Sequence, residues 1–373
     1  MKSPTSHFSR KTNMNKRIFI IDSHLDLAMN AIEWNRDLRK PVAAIREREK
    51  SMRDKPDRGN NTVALPELRK GKIGLVVATQ IARYVTPGSE LAGYNSPEIA
   101  WGITQAQLGW YRAMEDAKEM VQITNAMQVN EHISLWMNAS IADDEKPVGY
   151  ILSLEGADSL VDLSYLHKAY AYGLRACGPA HYGPGRYAPG TGMTGGLTPA
   201  GRGLIKEMDN LRMILDVTHL TDEGFKEALD IFKGPVWASH HNCRSLIDHQ
   251  RQLTDEQIRI LIERKAVIGG VLDTWMLTNN WVRGVDEPRK RGVNLEKLID
   301  HYDHICQVAG NADHIAIGSD LDGAYGKEQS PYDLDTISDL QNLQELLVAR
   351  GYSGEDIQKI FYKNWMGFMQ KHL

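Results

Sequence analysis

A chain of 373 residues, 42% hydrophobic and 25% charged, has a globular composition and is long enough to bury a large core. A formal net charge of −4 leaves no electrostatic footprint for nucleic acid or for an anionic membrane surface. Three scattered cysteines, Cys177, Cys243 and Cys306, fit a reducing compartment better than a disulfide framework.

Residues 1–16 are polar and basic and are expected to be a disordered extension, with Met14 a candidate natural start; the domain is expected over 17–373. The first apolar run is too short for a signal-peptide core, because Asp22, His24 and Asp26 interrupt it. No run approaches the roughly 18 apolar residues of a membrane span. A cytoplasmic location is the expectation from these absences.

Ile18-Phe19-Ile20-Ile21 reads as a buried strand that breaks into Asp22-Ser23-His24-Leu25-Asp26. On extended backbone His24 and Asp26 project from one face. An imidazole beside a carboxylate suits a divalent metal such as zinc; the alternative is that Asp22 and Asp26 serve a turn or a helix start. A helical pattern follows from Leu25 to about Trp34. The charge-dense Arg36–Asn61 comes next, and its Arg46-Glu47-Arg48-Glu49-Lys50 reads as a solvated helix face. The second strand is Ile73–Thr79, ending at Gln80. One long helix is expected from Ser96, a good N-cap before Pro97, to about Met127.

Val148–Leu154 is the third strand and runs into Glu155-Gly156. A short helix, Tyr165–Tyr172, leads to the fourth, Leu174–Cys177, which ends near His181. Residues 182–203 are rich in Gly and Pro, and read as a long, functional loop. Met213–Val217 is followed by Thr218-His219, and Asp222 is expected to cap a helix through Phe232. Pro235–Ser239 ends in His240-His241. A capped helix from Thr254 to Arg264 precedes the seventh strand, Ala266–Leu272, which ends at Asp273. A helix over Leu295–Val308 precedes the eighth, His314–Gly318, which ends in Ser319-Asp320-Leu321-Asp322. Helices at about Ser338–Ala349 and Gly354–Gln370 close the chain.

Eight short apolar strands in β-α alternation imply an α/β fold with a parallel sheet, closed into a distorted (β/α)8 TIM-like barrel with its site at the C-terminal ends of the strands. An open doubly wound sheet is disfavoured, because no Gly-rich phosphate turn follows the first strand. A lone histidine at a strand end is commonly a packing residue, but here several strands end in metal-binding types, and a barrel gathers all of them on one face. His24, Asp26, Glu155, His219 and His240 are too many ligands for one open zinc site and suit two metals sharing a carboxylate. Glu155 is the natural bridge, since a carboxylate has two oxygens to offer two cations.

These residues resemble the membrane (renal) dipeptidase family, metal-dependent dipeptidases on a distorted (β/α)8 barrel. The likeness runs from Arg17 almost to the end. It is carried by Asp22-Ser-His24-Leu-Asp26, Ser153-Leu-Glu155-Gly156, Gly195-Gly-Leu-Thr198 with Gly201-Arg202, Asp216-Val-Thr-His219, Ser239-His240 and Gly318-Ser-Asp320-Leu-Asp322-Gly323. The resemblance implies two Zn2+ ions bridged by Glu155, with His24 and Asp26 on one and His219 and His240 on the other. It implies that His181 contacts the scissile carbonyl, that Arg251 grips the substrate carboxylate, and that Asp320 handles the proton. The implied reaction is hydrolysis of dipeptides, including those with a D-residue at the C-terminal position, by a metal-bridging hydroxide. It also implies a homodimer. Cys177–Arg186 departs from the family pattern at the pocket, and the family's membrane anchoring is not expected to transfer. The alternative is a hydrolase of an N-acyl amino acid, a cyclic amide or a lactone on the same scaffold.

Overall fold

The computed structural model describes residues 17–373, so the extension expected over residues 1–16 lies outside the described residues. The chain begins β1 (Ile20–Leu25), α1 (Leu27–Glu33), α2 (Val42–Glu49), α3 (Leu65–Lys70), β2 (Ile73–Ile81) and α4 (Pro97–Asp116). It continues β3 (Met120–Gln122), α5 (Ala126–Met137), β4 (Val148–Glu155), α6 (Leu163–Ala171), β5 (Leu174–Gly178), α7 (Pro199–Asn210) and β6 (Ile214–Asp216). Then come α8 (Asp222–Ile231), β7 (Val236–Trp237), α9 (Asp255–Glu263), β8 (Ile268–Gly270), α10 (Glu296–Ala309) and β9 (Ile315–Ile317). The helices α11 (Leu343–Arg350), α12 (Gly354–Gln358) and α13 (Asn364–His372) end it.

Every paired strand is parallel, in the order β7-β6-β5-β4-β2-β1-β9-β8. A bridge between Ala238 and Ile268, just beyond β7, joins the two ends of that row. Ala238 N–H donates to Val267 O at 3.1 Å and Gly269 N–H to Ala238 O at 2.8 Å. The ring is therefore an eight-membered α/β barrel, closed at the β7–β8 seam by a single bridge. Strands buried on both faces read as continuous apolar runs, which is why they stand out in the sequence.

The barrel is tightest under the site. A Cβ at Gly269 or Gly318 would lie 2.0 or 1.9 Å from Ser239 O, so only glycine admits β8 and β9 there. Ser23 Oγ donates to Ser239 O at 2.6 Å and is 3.1 Å from Ile317 O. That one hydroxyl ties the end of β1 to β7 and β9, directly beneath His24.

The structure corrects several expectations. The long helix over 96–127 is two helices, with β3 between them. β3 pairs with the first half of β4, on the edge that Leu152–Glu155 gives to β5, and so distorts the barrel. Asn125 Oδ1 accepts from Gln128 N–H and starts a new helix, α5. The Gly/Pro-rich stretch stops being loop at Pro199, where Thr198 caps α7. Thr221, not Asp222, caps α8; Asp222 pairs with Arg244 at 2.7 Å.

The expected solvated face over Arg46–Lys50 holds except at Glu49, which turns inside. Arg36 and Glu49 are buried and paired at 2.9 Å, with Asp57 3.0 Å from the same guanidinium.

Candidate active site

The C-terminal ends of the strands meet in a cavity of about 900 Å³, a size ordinary for small-molecule sites. On β1, Asp22 accepts from the backbone N–H of His24 at 3.2 Å and of Ser319 at 2.9 Å. It therefore fastens the strand end to β9 and faces away from the cluster. Asp26 precedes α1 without capping it. Its carboxylate instead takes the Thr79 hydroxyl from β2.

Glu155 ends β4 with its two oxygens divided. Oε2 lies 3.5 Å from His24 Nε2, while Oε1 lies 3.1 Å from His219 Nε2 and 3.4 Å from His240 Nε2. His24 Nε2 is also 3.9 Å from Asp26 Oδ1 and 3.7 Å from Asp320 Oδ1. His219 Nδ1 has the Thr191 hydroxyl at 2.8 Å, and His240 Nδ1 the Ser239 hydroxyl at 2.9 Å. A hydroxyl partner lets Nδ1 carry the ring proton and leaves the Nε2 lone pair free, the arrangement a metal-binding histidine needs. His219 and Asp320 both have left-handed backbone, φ 69° and 57°; such strain persists only where surrounding contacts over-determine it.

His240 rather than His241 faces Glu155; His241 Nδ1 lies 3.4 Å from the Thr218 hydroxyl. Asp322 leaves the cluster altogether, accepting from Thr62 N–H at 2.7 Å and Val63 N–H at 3.0 Å. His181 lines the cavity, with Nδ1 2.8 Å from Arg83 Nη2. Arg251 is buried, donates to His240 O at 2.9 Å, and keeps Nε and Nη1 without partners.

The electrostatics are strained. Burial, with Asp26 and Glu155 adding to it, pushes Asp320 well above the usual carboxylate range. Burial and the charge of Glu155 push Asp26 up to about 7. Burial, aided by Arg251, holds His219 and His240 well below the ordinary imidazole value. Glu155 stays well below 4.5: burial opposes its charge, but His24, His181 and His219 outweigh it. Burial lowers His181 to about 4, with Arg83 and Arg251 acting in the same sense against Glu155.

The donors fit divalent cations. Ligand-type atoms of His24, Asp26 and Glu155 lie within 4.8 Å of one another, as do those of His24, His240 and Asp320 and those of Glu155, His181 and His219. Ligands about 2.0–2.1 Å from a tetrahedral centre stand about 3.3 Å apart, and His219 Nε2 and His240 Nε2 are 3.2 Å apart. His24 Nε2 is buried without a hydrogen-bond partner, which an imidazole among carboxylates tolerates when a cation takes its lone pair.

The sequence reading missed Thr79, Thr191 and Arg83. The second strand runs past Gln80 to Ile81, and Arg83, two residues on, reaches the cavity. Gln80 itself is buried against Thr104 of α4. A strand-end position was the available signal for Arg83, and the long loop for Thr191; Thr79 carried none.

The family model for membrane dipeptidase, peptidase family M19, matches residues 8–372. The chain belongs to the membrane dipeptidase family. An uncharacterized protein from the pqqA 5′ region of Klebsiella pneumoniae is 30% identical over 234 residues, 60% of this chain and 82% of that protein. An uncharacterized dipeptidase of Schizosaccharomyces pombe is 27% identical over 281 residues, 72% of this chain and 64% of that protein. The crystal structure of the metallopeptidase dipeptidase AC, of family M19, matches with a TM-score of 0.77 at 26% identity, over 96% of this chain and 99% of that one. This member of the membrane dipeptidase family is a metal-dependent hydrolase of the dipeptidase type. No helix among its described residues is long and apolar enough to cross a membrane.

Proposed function

We propose that this chain is a binuclear zinc dipeptidase acting on dipeptides with a free C-terminal carboxylate, including those with a D-residue at that position. The observation that carries the reading is the division of Glu155, one oxygen toward His24 and the other toward His219 and His240. In this reading His24 and Asp26 would hold one cation and His219 and His240 the other, with the carboxylate of Glu155 available to both. When bound, the cations supply Lewis acidity, which polarises a carbonyl and makes water nucleophilic near neutral pH.

The remaining steps belong to the chain's own side chains. Arg251 is a guanidinium with Nε and Nη1 unpaired at the cavity wall, and it takes the substrate carboxylate through its free N–H donors in charge-assisted hydrogen bonds. His181 donates a hydrogen bond to the scissile carbonyl oxygen as it gains negative charge. Asp320, 3.7 Å from His24 and pushed up by burial, accepts the proton of the attacking water and returns it to the leaving amine. One carboxyl thus serves as base and then acid. The three cysteines are unpaired thiols, consistent with the cytoplasm as the place of work.

The test is metal content per chain together with activity after chelation and zinc return, on a dipeptide library set against N-acyl amino acids and lactones. Two zinc ions per chain and restored dipeptide cleavage are expected. Preferred cleavage of substrates that lack a free amino group would transfer the assignment to another small-amide or lactone hydrolase.

A further inference from the structure

We propose that Arg83 is a positioning residue for His181, fixing that imidazole as a neutral donor with its proton on Nε2. The proposal rests on the reading in which His181 faces the scissile carbonyl, and it explains why His181 differs from the other histidines of the site.

A guanidinium carries only N–H donors and stays protonated in proteins. Arg83 Nη2 lies 2.8 Å from His181 Nδ1, so Nδ1 must be the acceptor in that contact. A neutral imidazole accepting at Nδ1 bears its proton on Nε2. Its one lone pair is then already engaged. It can offer an N–H to an oxygen, and it can neither ligate a cation nor take a proton from water.

The contrast with the neighbouring ring is sharp. An atom of His181 lies within 4.8 Å of ligand-type atoms of Glu155 and His219, so distance alone would admit it as a third metal ligand. His219 has a threonine hydroxyl on Nδ1 and His240 a serine hydroxyl, partners that can accept a hydrogen bond from a protonated Nδ1 and leave Nε2 free. One arginine in place of a hydroxyl separates the electrophile from the ligands. The cation behind Nδ1 also strengthens the Nε2–H as a donor to developing negative charge.

Arg83 is built into its place. Its Nη1 donates to Ala92 O at 2.9 Å. Its own carbonyl accepts from Tyr94 N–H at 2.8 Å, and Val85 N–H donates to Tyr94 O at 2.9 Å. The loop after β2 thus closes on itself behind the guanidinium. The ring of Tyr182, the residue next to His181, lies 5.9 Å from the guanidinium carbon.

The experiment uses zinc-loaded enzyme with 15N-labelled histidine, His181→Gln supplying the assignment, and compares wild type with Arg83→Met and Arg83→Lys. Wild type and Arg83→Lys are expected to show a protonated Nε2 and an unprotonated Nδ1 on His181, and Arg83→Met a mixture of tautomers. In Arg83→Met kcat is expected to fall roughly tenfold to hundredfold, with KM little changed and the zinc content kept; Arg83→Lys should recover most of the loss. A proton on Nδ1 in wild type overturns the proposal, and that spectrum decides even if Arg83→Met does not fold. An unchanged tautomer with a rise in KM alone also overturns it, and makes Arg83 a substrate contact. If wild type cleaves no dipeptide, the dipeptidase reading fails by itself, and the ring shifts still decide Arg83.

Discussion

His219 and His240 point their Nε2 atoms at one another across 3.2 Å, and Glu155 Oε1 is 3.1 Å from the first and 3.4 Å from the second. Two imidazole lone pairs and a carboxylate oxygen at these distances repel unless a positive charge lies among them. Cation binding should therefore stabilise the fold as well as equip it. Zinc at a thousandfold excess over its Kd should add about 4 kcal/mol. Scanning calorimetry of chelated and zinc-returned protein checks this; a midpoint indifferent to zinc counts against a metal site here.

Glu155→Gln keeps the shape and removes the charge that two cations would share. Metal content is expected to drop below two per chain. Activity should fall by about a thousandfold, the equivalent of about 4 kcal/mol of transition-state stabilisation. Elemental analysis and kcat/KM on one dipeptide, measured together, read both effects.

Arg251→Ala removes the guanidinium whose Nε and Nη1 lack partners. The cost should be about 1.5–3 kcal/mol for the lost charged hydrogen bonds, roughly tenfold to hundredfold, and confined to substrates with a free C-terminal carboxylate. Paired assays on free and C-terminally amidated dipeptides separate the cases. Equal loss on both removes Arg251 from carboxylate recognition.

Arg36→Met tests the buried charges beneath the rim. Arg36 is paired with Glu49 at 2.9 Å and Asp57 at 3.0 Å, and its Nη1 lies 4.0 Å from Asp322. Removing the guanidinium that these three share strands buried carboxylates, at a cost of about 3–5 kcal/mol. Urea denaturation at constant free zinc measures it; a change below about 1 kcal/mol would mean that Arg58, 2.7 Å from Glu49, suffices alone.

His301 supplies a pH dependence away from the cluster. Burial holds its pKa down to about 3, and Cys243 N–H donates to its Nδ1 at 3.1 Å. The unfolded chain takes up this proton near 6.5 while the folded chain refuses it down to about 3. Its contribution is whole above pH 6.5 and is lost as pH falls from 6.5 toward 3, at up to about 1.4 kcal/mol per unit. His301→Asn keeps an acceptor without the titration and should flatten the slope. Urea midpoints from pH 7 to 5 on metal-free protein give the comparison.

The strands were legible because parallel strands buried on both faces are unbroken apolar runs, as Ile73–Ala78 shows. The gathering of His24, Glu155, His219 and His240 was legible because a barrel brings all strand ends to one face. Other features had no local signal. The helical pattern of α4 continues into Met120–Gln122, which becomes strand only because the first half of β4 has a free edge. Glu49 sits in a charged run that looks solvated, yet Arg36 and Arg58 draw it inside. Arg83 shows its purpose only beside His181, 98 positions further on.

The amino-acid order by itself determined the β-α rhythm and the kinds of side chain at each strand end, since both follow from residue chemistry at short range. The family resemblance already pointed to His240 rather than His241 and to Asp320 rather than Asp322. Only the tertiary structure shows how these neighbours part, His240 toward Glu155 and Asp322 toward Thr62, and which oxygen of Glu155 faces which imidazole. Adjacent residues are chemically equivalent candidates that leave the backbone in different directions. The direction is set by contacts from far along the chain, such as Ser23 on Ser239 and Thr62 on Asp322.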